Sequence, residues 1–147
     1  MTQKDKELLF RDLCARILYN VKCYNSKYRP DLAEEIICIT VNYNHSCVQL
    51  GTYLYKLEQV KPYLFPLSSM TEEQEKEIQE IIGNPDYACI IRKTDGLELW
   101  LNSIDTDPTI WLDAIFEVQD YLNKNHFDYR KLIDDGLAID VTGLNIY

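Results

Sequence analysis

The sequence predicts an α+β fold, arranged as a single domain over residues 1–147 with an antiparallel sheet of about five strands. Three observations support this prediction. The chain has 147 residues, of which 46% are hydrophobic, enough for one packed core. Several stretches show two-residue alternation or β-branched runs, and turn-forming residues separate them. Other stretches repeat apolar side chains every three or four residues, as amphipathic helices do.

The first half of the chain is predicted to contain one helix and three strands. Apolar side chains recur at helical spacing over residues 3–18, and Thr2 precedes them as a capping residue. Apolar and polar residues then alternate over residues 19–24. Two β-branched runs follow, over residues 34–43 and 47–57, and the short polar stretch between them is typical of a hairpin turn. These three strands should pair antiparallel.

The middle of the chain is predicted to contain a connector, a helix and a hairpin. Residues 61–69 carry two prolines, which favour an extended connector over a central strand. A helix is predicted over about residues 71–82, where Thr71 and Gln74 have the spacing of a capping box and the helix dipole favours the acidic first turn. Two further strands, residues 87–93 and 97–101, flank an Asp-Gly turn and complete the five.

The strongest helical pattern lies over residues 108–124. Asp107 is the expected N-cap, and proline stands at the first helical position. The apolar stripe is wide and aromatic, so we expect a central core helix across the sheet, with Trp111 and Phe116 buried. A short C-terminal helical turn, around residues 129–135, is expected to end at a glycine, and the apolar tail after it should dock.

Composition limits the compartment and the partners. No stretch has the pattern of a secretory signal or of a membrane span, so we expect a cytoplasmic location and no membrane partner. Five cysteines without CxxC spacing predict reduced thiols rather than disulfides or a zinc site. The net charge of -9 argues against generic nucleic-acid binding, which needs clustered Lys and Arg. Residues 1–30 are nevertheless basic.

Histidines suggest two catalytic hypotheses, and the sequence supports neither. His45 and Cys47 could share a strand face as metal ligands or as a Cys–His pair, but two ligands are not a site, and a turn histidine is favoured. His126 and Asp128 could form a dyad, but no serine lies in a nucleophile elbow. We expect His126 to cap the end of the preceding helix.

Acidic clusters and glycines add no chemical site. Asp105, Asp107 and Asp113 could chelate a hard cation, but the spacing of a calcium loop is absent and Asp107 is assigned to a helix cap. The five glycines are too scattered for a phosphate-binding loop. The sequence therefore predicts no catalytic residue, no metal and no cofactor.

Tyrosines and glutamates are the candidate binding residues. Seven of the eleven tyrosines lie in the first 63 residues, and Tyr with Arg is a composition typical of binding faces. Strands also favour tyrosine, so packing is the alternative explanation. If a Tyr/Arg face exists, we expect it to centre on three residues, Tyr24, Tyr28 and Arg29. The acidic surface is expected to include Glu72, Glu73 and Glu77.

A family resemblance rests on two stretches, KPYLFPLSSMTEEQ (residues 61–74) and NKNHFDYRKLIDDGLAID (residues 123–140), with DKELLFRDLCARI adding a little. They resemble an uncharacterised family of small acidic proteins from anaerobic gut bacteria and their phages or mobile elements. The family brings no activity, cofactor or catalytic residue with it. The resemblance implies a genomic setting in which short acidic proteins often bind another protein.

These observations favour a non-enzymatic interaction protein, either a phage or mobile-element accessory factor or an inhibitor. Its acidic surface would engage a partner protein with a basic surface. The alternative is a small-ligand binding protein, with nucleotides among the ligands to test, whose aromatic-lined pocket lies between the sheet and the 108–124 helix. A third hypothesis is a hydrolase or nuclease that uses Asp105, Asp107 or His126.

Overall fold

A computed structural model gives an α+β fold in which three helices and nine strands lie within the described parts of the chain. Those parts are residues 1–25, 32–42, 45–83, 88–93, 96–101 and 108–147. They form two compact units. The first unit comprises residues 1–64 and 130–147, and the second comprises residues 65–129.

The three helices lie where the sequence predicts them. They are α1 (Gln3–Arg16), α2 (Glu72–Ile82) and α3 (Pro108–Lys124). The Thr2 hydroxyl accepts a hydrogen bond from the backbone N–H of Asp5, whose side chain accepts one from the Thr2 N–H. Thr71 and Gln74 make the same reciprocal pair at α2. Both helix starts are thus fixed by the capping chemistry in the sequence. The expected cap of α3, Asp107, lies outside the described residues.

The sheet is larger and more varied than the sequence predicts. The strands are β1 (Lys22–Asn25), β2 (Glu34–Asn42), β3 (His45–Leu50), β4 (Tyr53–Lys56), β5 (Val60–Pro66), β6 (Ala88–Lys93), β7 (Gly96–Leu101), β8 (Phe127–Asp128) and β9 (Ile139–Asp140). Seven of them form one sheet of mixed orientation. The first five run in the order β4-β3-β2-β1-β5 and pair antiparallel, whereas β8 and β9 pair parallel with β5. The prediction of about five antiparallel strands is therefore wrong in detail.

Two local features distinguish the observed strands from the predicted ones. The run 47–57 is divided by a turn at Gly51, where the backbone has a φ of 53°, a conformation that favours glycine. The predicted hairpin of β6 and β7 forms, but as a separate two-stranded sheet.

The proline-containing connector is a strand, which corrects a second expectation. Pro62 lies opposite Cys23 in the β1–β5 pair. The backbone N–H of Lys22 points away from β2, because the preceding carbonyl of Val21 accepts from Ile36 on that strand. Alternation along β1 then directs the N–H of Cys23 toward β2. Pro62 consequently occupies a rung where β1 requires no N–H donor from β5, and its missing donor is tolerated.

The core of the first unit is built on α1 rather than on α3. Leu9 and Leu13 of α1 are fully buried in a cluster with residues of the sheet and of the C-terminal segment. In the second unit, Leu122 of α3 packs with Ile78 and Phe127. Phe116 is 62% exposed, so the expectation that it is buried in a central core helix is wrong. The side chain of Trp111 lies outside the described part.

The C-terminal turn ends at a glycine, as expected. The N–H of Leu137 donates to the carbonyl of Leu132, and the N–H of Gly136 donates to that of Ile133. Gly136 has a φ of 69°. This is the Schellman arrangement, in which a left-handed residue lets the chain reverse and two apolar side chains meet. Leu132 and Leu137 are both buried, so the reversal anchors the C-terminal segment in the core of the first unit.

Candidate functional site

Charge is divided unequally between the two units. The second unit contains fourteen acidic and four basic residues, a net charge of -10, whereas the first contains eleven basic and ten acidic residues, a net charge of +1. Residues 65–129 therefore account for the entire negative net charge of the chain, and the first unit offsets it by one positive charge. A surface with this balance attracts basic partners and repels polyanions.

One side of α3 is buried and sets the orientation of the helix. Leu122 is 8% exposed, and Val118, one turn earlier, is partly buried against the same cluster. Tyr121 joins this side, and its hydroxyl donates a 2.7 Å hydrogen bond to Oε2 of Glu77 on α2. Burial raises the pKa of the Tyr121 phenol, and the bond to the carboxylate raises it further. The phenol therefore stays a donor, and it holds Glu77 in place.

The adjoining side of α3 exposes large apolar side chains. Leu112, Ile115 and Phe116 are 53%, 41% and 62% exposed. Their spacing of three and four places them on one turn of the helix. Single exposed apolar residues are ordinary on protein surfaces, but several on one helical turn form a patch of the kind found at interaction sites.

A row of carboxylates runs beside this patch. Asp113, Glu117 and Asp120 are exposed and recur at spacings of four and three, so they lie on one side of α3. Like charges at these spacings destabilise a helix by about 0.2–0.5 kcal/mol per pair. We call the two rows together the α3 face, which consists of Leu112, Asp113, Ile115, Phe116, Glu117 and Asp120.

The glutamates selected from the sequence share one helix. Glu72, Glu73 and Glu77 are all exposed on α2. Glu72 and Glu73 occupy its first turn, where the helix dipole favours negative charge, so their position also has a structural reason. The carboxylate of Glu77 accepts the hydrogen bond from the Tyr121 hydroxyl of α3.

The tyrosine face selected from the sequence is described only in part. Tyr24 is half-buried on β1, opposite Lys61 of β5. Tyr28 and Arg29 lie outside the described residues. The proposed Tyr/Arg face therefore stays a prediction.

The histidine and cysteine candidates do not assemble a metal site in the described part of the chain, where no three His, Cys, Asp or Glu side chains are grouped for it. Cys47 is half-buried on β3 opposite Thr40, and the side chain of His45 is not among those described. His126 lies two residues after the end of α3 and has a φ of 59°, and its backbone N–H donates to the carbonyl of Asn123. That is the position expected of a residue that ends the helix. Asp128 is 6% exposed on β8.

The aspartate cluster is likewise described only in part. Asp105 and Asp107 lie outside the described residues. Asp113 is exposed on α3, where it belongs to the carboxylate row.

No described helix is long and apolar enough to cross a bilayer.

Two polar arrangements in the first unit escaped the sequence reasoning. The first is a buried ion network, in which Nε of Arg16 lies 2.8 Å from Oδ2 of Asp12 and Nε of Arg130 lies 3.5 Å from Oδ1. The side chains of Asp12 and Arg16 are fully buried. Asp12 and Arg16 share one side of α1 with the buried Leu9 and Leu13, at helical spacings of three and four, and this was the available signal. Nothing in the sequence indicated Arg130.

The second arrangement is a hydroxyl inserted between two strands. The Tyr147 hydroxyl accepts from the backbone N–H of Lys22 on β1 at 3.1 Å and donates to the carbonyl of Tyr63 on β5 at 2.8 Å. In the register of Cys23 with Pro62, those two groups belong to the next rung of the ladder. The phenol thus replaces a direct backbone hydrogen bond from the N–H of Lys22 to the carbonyl of Tyr63. Beside it, Nζ of Lys22 donates to the carbonyl of Ile146. Burial raises the pKa of the phenol, which keeps it protonated and able to donate.

Comparisons with protein-family models, with curated proteins and with solved structures find no match for this chain.

Proposed function

We propose that this protein is a non-enzymatic interaction module that binds a partner protein through the acidic surface of residues 65–129. The observation that carries the proposal is the charge division, -10 in the second unit against +1 in the first. The resemblance to proteins of phages and mobile elements extends the proposal to an accessory factor or an inhibitor. A cytoplasmic location is part of the same proposal.

The physical reason is that clustered charge favours encounter with a partner of opposite charge. Complementary potentials raise association rates from about 10⁵–10⁶ to as much as 10⁸–10⁹ M⁻¹s⁻¹ at low salt, and they reject partners of like charge. The same charge is unfavourable for the isolated protein, because neighbouring carboxylates repel one another. A basic partner would relieve that repulsion.

The experiment compares partner capture by the wild type and by a charge-neutralised variant, Asp113→Asn/Glu117→Gln/Asp120→Asn. These side chains are exposed, so the variant should fold, which far-UV circular dichroism checks. Extracts of the natural host are passed over each protein at low and at high salt, and bound proteins are quantified by mass spectrometry. We expect the wild type to retain a basic protein at low salt and to release it at high salt. The amount of that protein bound at low salt should be at least tenfold larger for the wild type than for the variant.

A matched control removes one exposed carboxylate from α1 of the first unit, Glu7→Gln. Its capture profile should equal that of the wild type. Equal capture by the wild type and the neutralised variant, or capture that salt does not weaken, would overturn the acidic-surface proposal.

A further inference from the structure

We infer that the partner segment recognised by the α3 face is a basic amphipathic helix, anchored on Leu112, Ile115 and Phe116. The inference rests on the proposed function and adds the chemistry of the partner. Its starting point is that the exposed apolar patch and the carboxylate row lie side by side on α3, whereas the buried side with Val118 and Leu122 lies beyond the patch.

The angular separation of the two rows selects the conformation of the partner. Successive residues of an α-helix are rotated by about 100°, so Asp113 and Glu117 lie one such step from Leu112 and Phe116. A partner helix can present an apolar row and a basic row separated by the same angle of about 100°. Its apolar row would then contact the exposed patch while its basic row faces the carboxylates. A strand directs neighbouring side chains to opposite faces and would meet one row only.

The dimensions fit a short helical segment. The carboxylate row extends from Asp113 to Asp120, seven residue steps, which is about 10 Å along the helix axis. Leu112 and Phe116 form a ridge of the i, i+4 type, which packs into the corresponding groove of a second helix. A segment of two or three turns therefore covers the whole face. Apolar anchors in its centre would exclude water from the charge pairs at its edge.

The charges exclude two other occupants of the face. A second copy of the chain placed antiparallel along α3 would set carboxylate row against carboxylate row, and one placed parallel would give neither row a basic neighbour from α3. A bilayer with anionic lipids would repel Asp113, Glu117 and Asp120. A helix with Lys or Arg beside its apolar stripe satisfies both rows.

The test uses synthetic peptides as probes. The first is an 18-residue Leu/Lys peptide with leucines at i, i+3, i+4 and i+7, so that one face is apolar and the rest basic. The second has the same composition with the leucines distributed around the helix. Binding to the full chain is followed by fluorescence anisotropy at near-physiological salt. We expect the first peptide to bind at least tenfold more tightly than the second.

Two sets of variants locate the binding. Phe116→Gln and, separately, Leu112→Asn should each weaken binding of the first peptide at least fivefold. The matched control is Leu54→Asn, because Leu54 of β4 is equally exposed, at 63%, but belongs to the first unit. It should leave the affinity unchanged. The neutralised variant Asp113→Asn/Glu117→Gln/Asp120→Asn should weaken the binding of both peptides.

The outcomes separate the two proposals. If only the neutralised variant weakens binding, or if both peptides bind equally, the amphipathic-helix inference is wrong and the acidic-surface proposal stands. If the neutralised variant binds both peptides as the wild type does, the acidic-surface proposal fails as well. Loss of binding in Leu54→Asn would place the anchor outside α3 and would also overturn the inference.

Discussion

Replacing Asp12 by Asn should severely destabilise the first unit. The change keeps the shape of the side chain and removes the charge that faces Nε of Arg16 at 2.8 Å. Both side chains have no exposed surface, so water cannot take over the role of the carboxylate. Removing one partner of such a pair costs about 3–5 kcal/mol, chiefly because the remaining charge stays desolvated.

The surface pair of Lys6 and Glu58 provides an internal control. Its atoms are 3.7 Å apart, and the side chains are 40% and 41% exposed. An exposed pair contributes about 0–1 kcal/mol, so Glu58→Gln should have little effect. The structure therefore predicts a difference of at least 2 kcal/mol between two variants that each delete one carboxylate from an ion pair of α1.

Urea unfolding at pH 7, followed by far-UV circular dichroism, measures both variants. With a denaturant slope of about 2 kcal/mol per M, a loss of 4 kcal/mol moves the midpoint by about 2 M. Hydrogen exchange of the α1 amides locates the loss in the first unit. The double variant Asp12→Leu/Arg16→Met should recover part of the stability, because it removes the two fully buried charges, whereas the side chain of Arg130 is 19% exposed and keeps access to water. A loss below 1 kcal/mol in Asp12→Asn would refute the reasoning.

Four further outcomes are expected. Thr71→Ala should lower the free energy of unfolding by about 0.5–2 kcal/mol, measured by urea denaturation, because it removes the α2 cap. Tyr147→Phe should cost about 0.5–1.5 kcal/mol at pH 7, because two backbone groups lose their bridging hydroxyl at a site that water can reach. The pKa of the Tyr147 phenol is raised in the folded state, so the stability that it contributes is fully present below about pH 10 and is lost as the pH rises further. Urea unfolding at pH 8 and at pH 11 or above should therefore show a smaller difference between wild type and variant at the higher pH. Gly136→Ala should cost about 1 kcal/mol in thermal unfolding, from the positive φ alone, since no atom lies within 4 Å of the added methyl group. If residues 1–147 form a single domain, fluorescence of Trp100 and Trp111, both in the second unit, should change in the same urea transition as circular dichroism.

Local chemistry made the helices predictable. The capping pairs at Thr2 and Thr71 depend on residues three positions apart, and the structure places α1 and α2 directly after them. The glycine that ends the C-terminal turn is equally local. In each case the interacting groups lie within six residues of one another, so the sequence contains the whole arrangement.

Contacts between residues far apart in the sequence could not be predicted, because no short stretch of sequence contains both partners. Arg130 meets Asp12 across more than one hundred positions, and Tyr147 bridges Lys22 and Tyr63 from the far end of the sequence. The expectation that proline excludes a central strand was wrong at Pro62. It takes account of the missing N–H but not of the strand register, which decides whether a donor is needed at that position. The backbone hydrogen bonds of a helix join residues four apart in the sequence, whereas those of a strand join it to another segment, which its own sequence does not specify.

The α3 face shows why periodicity alone misassigned a helix. The pattern over residues 108–124 contains more apolar positions than one buried side requires, and the wide stripe indicated a deeply buried helix. The structure instead divides the stripe, with Leu122 buried and Phe116 exposed on different sides of the same helix. We propose that the exposed part of this wide stripe contacts another molecule. Because the exposed part lies beside Asp113 and Glu117 within the unit that carries a net charge of -10, hydrophobic contact and charge both favour the basic, amphipathic partner that we propose.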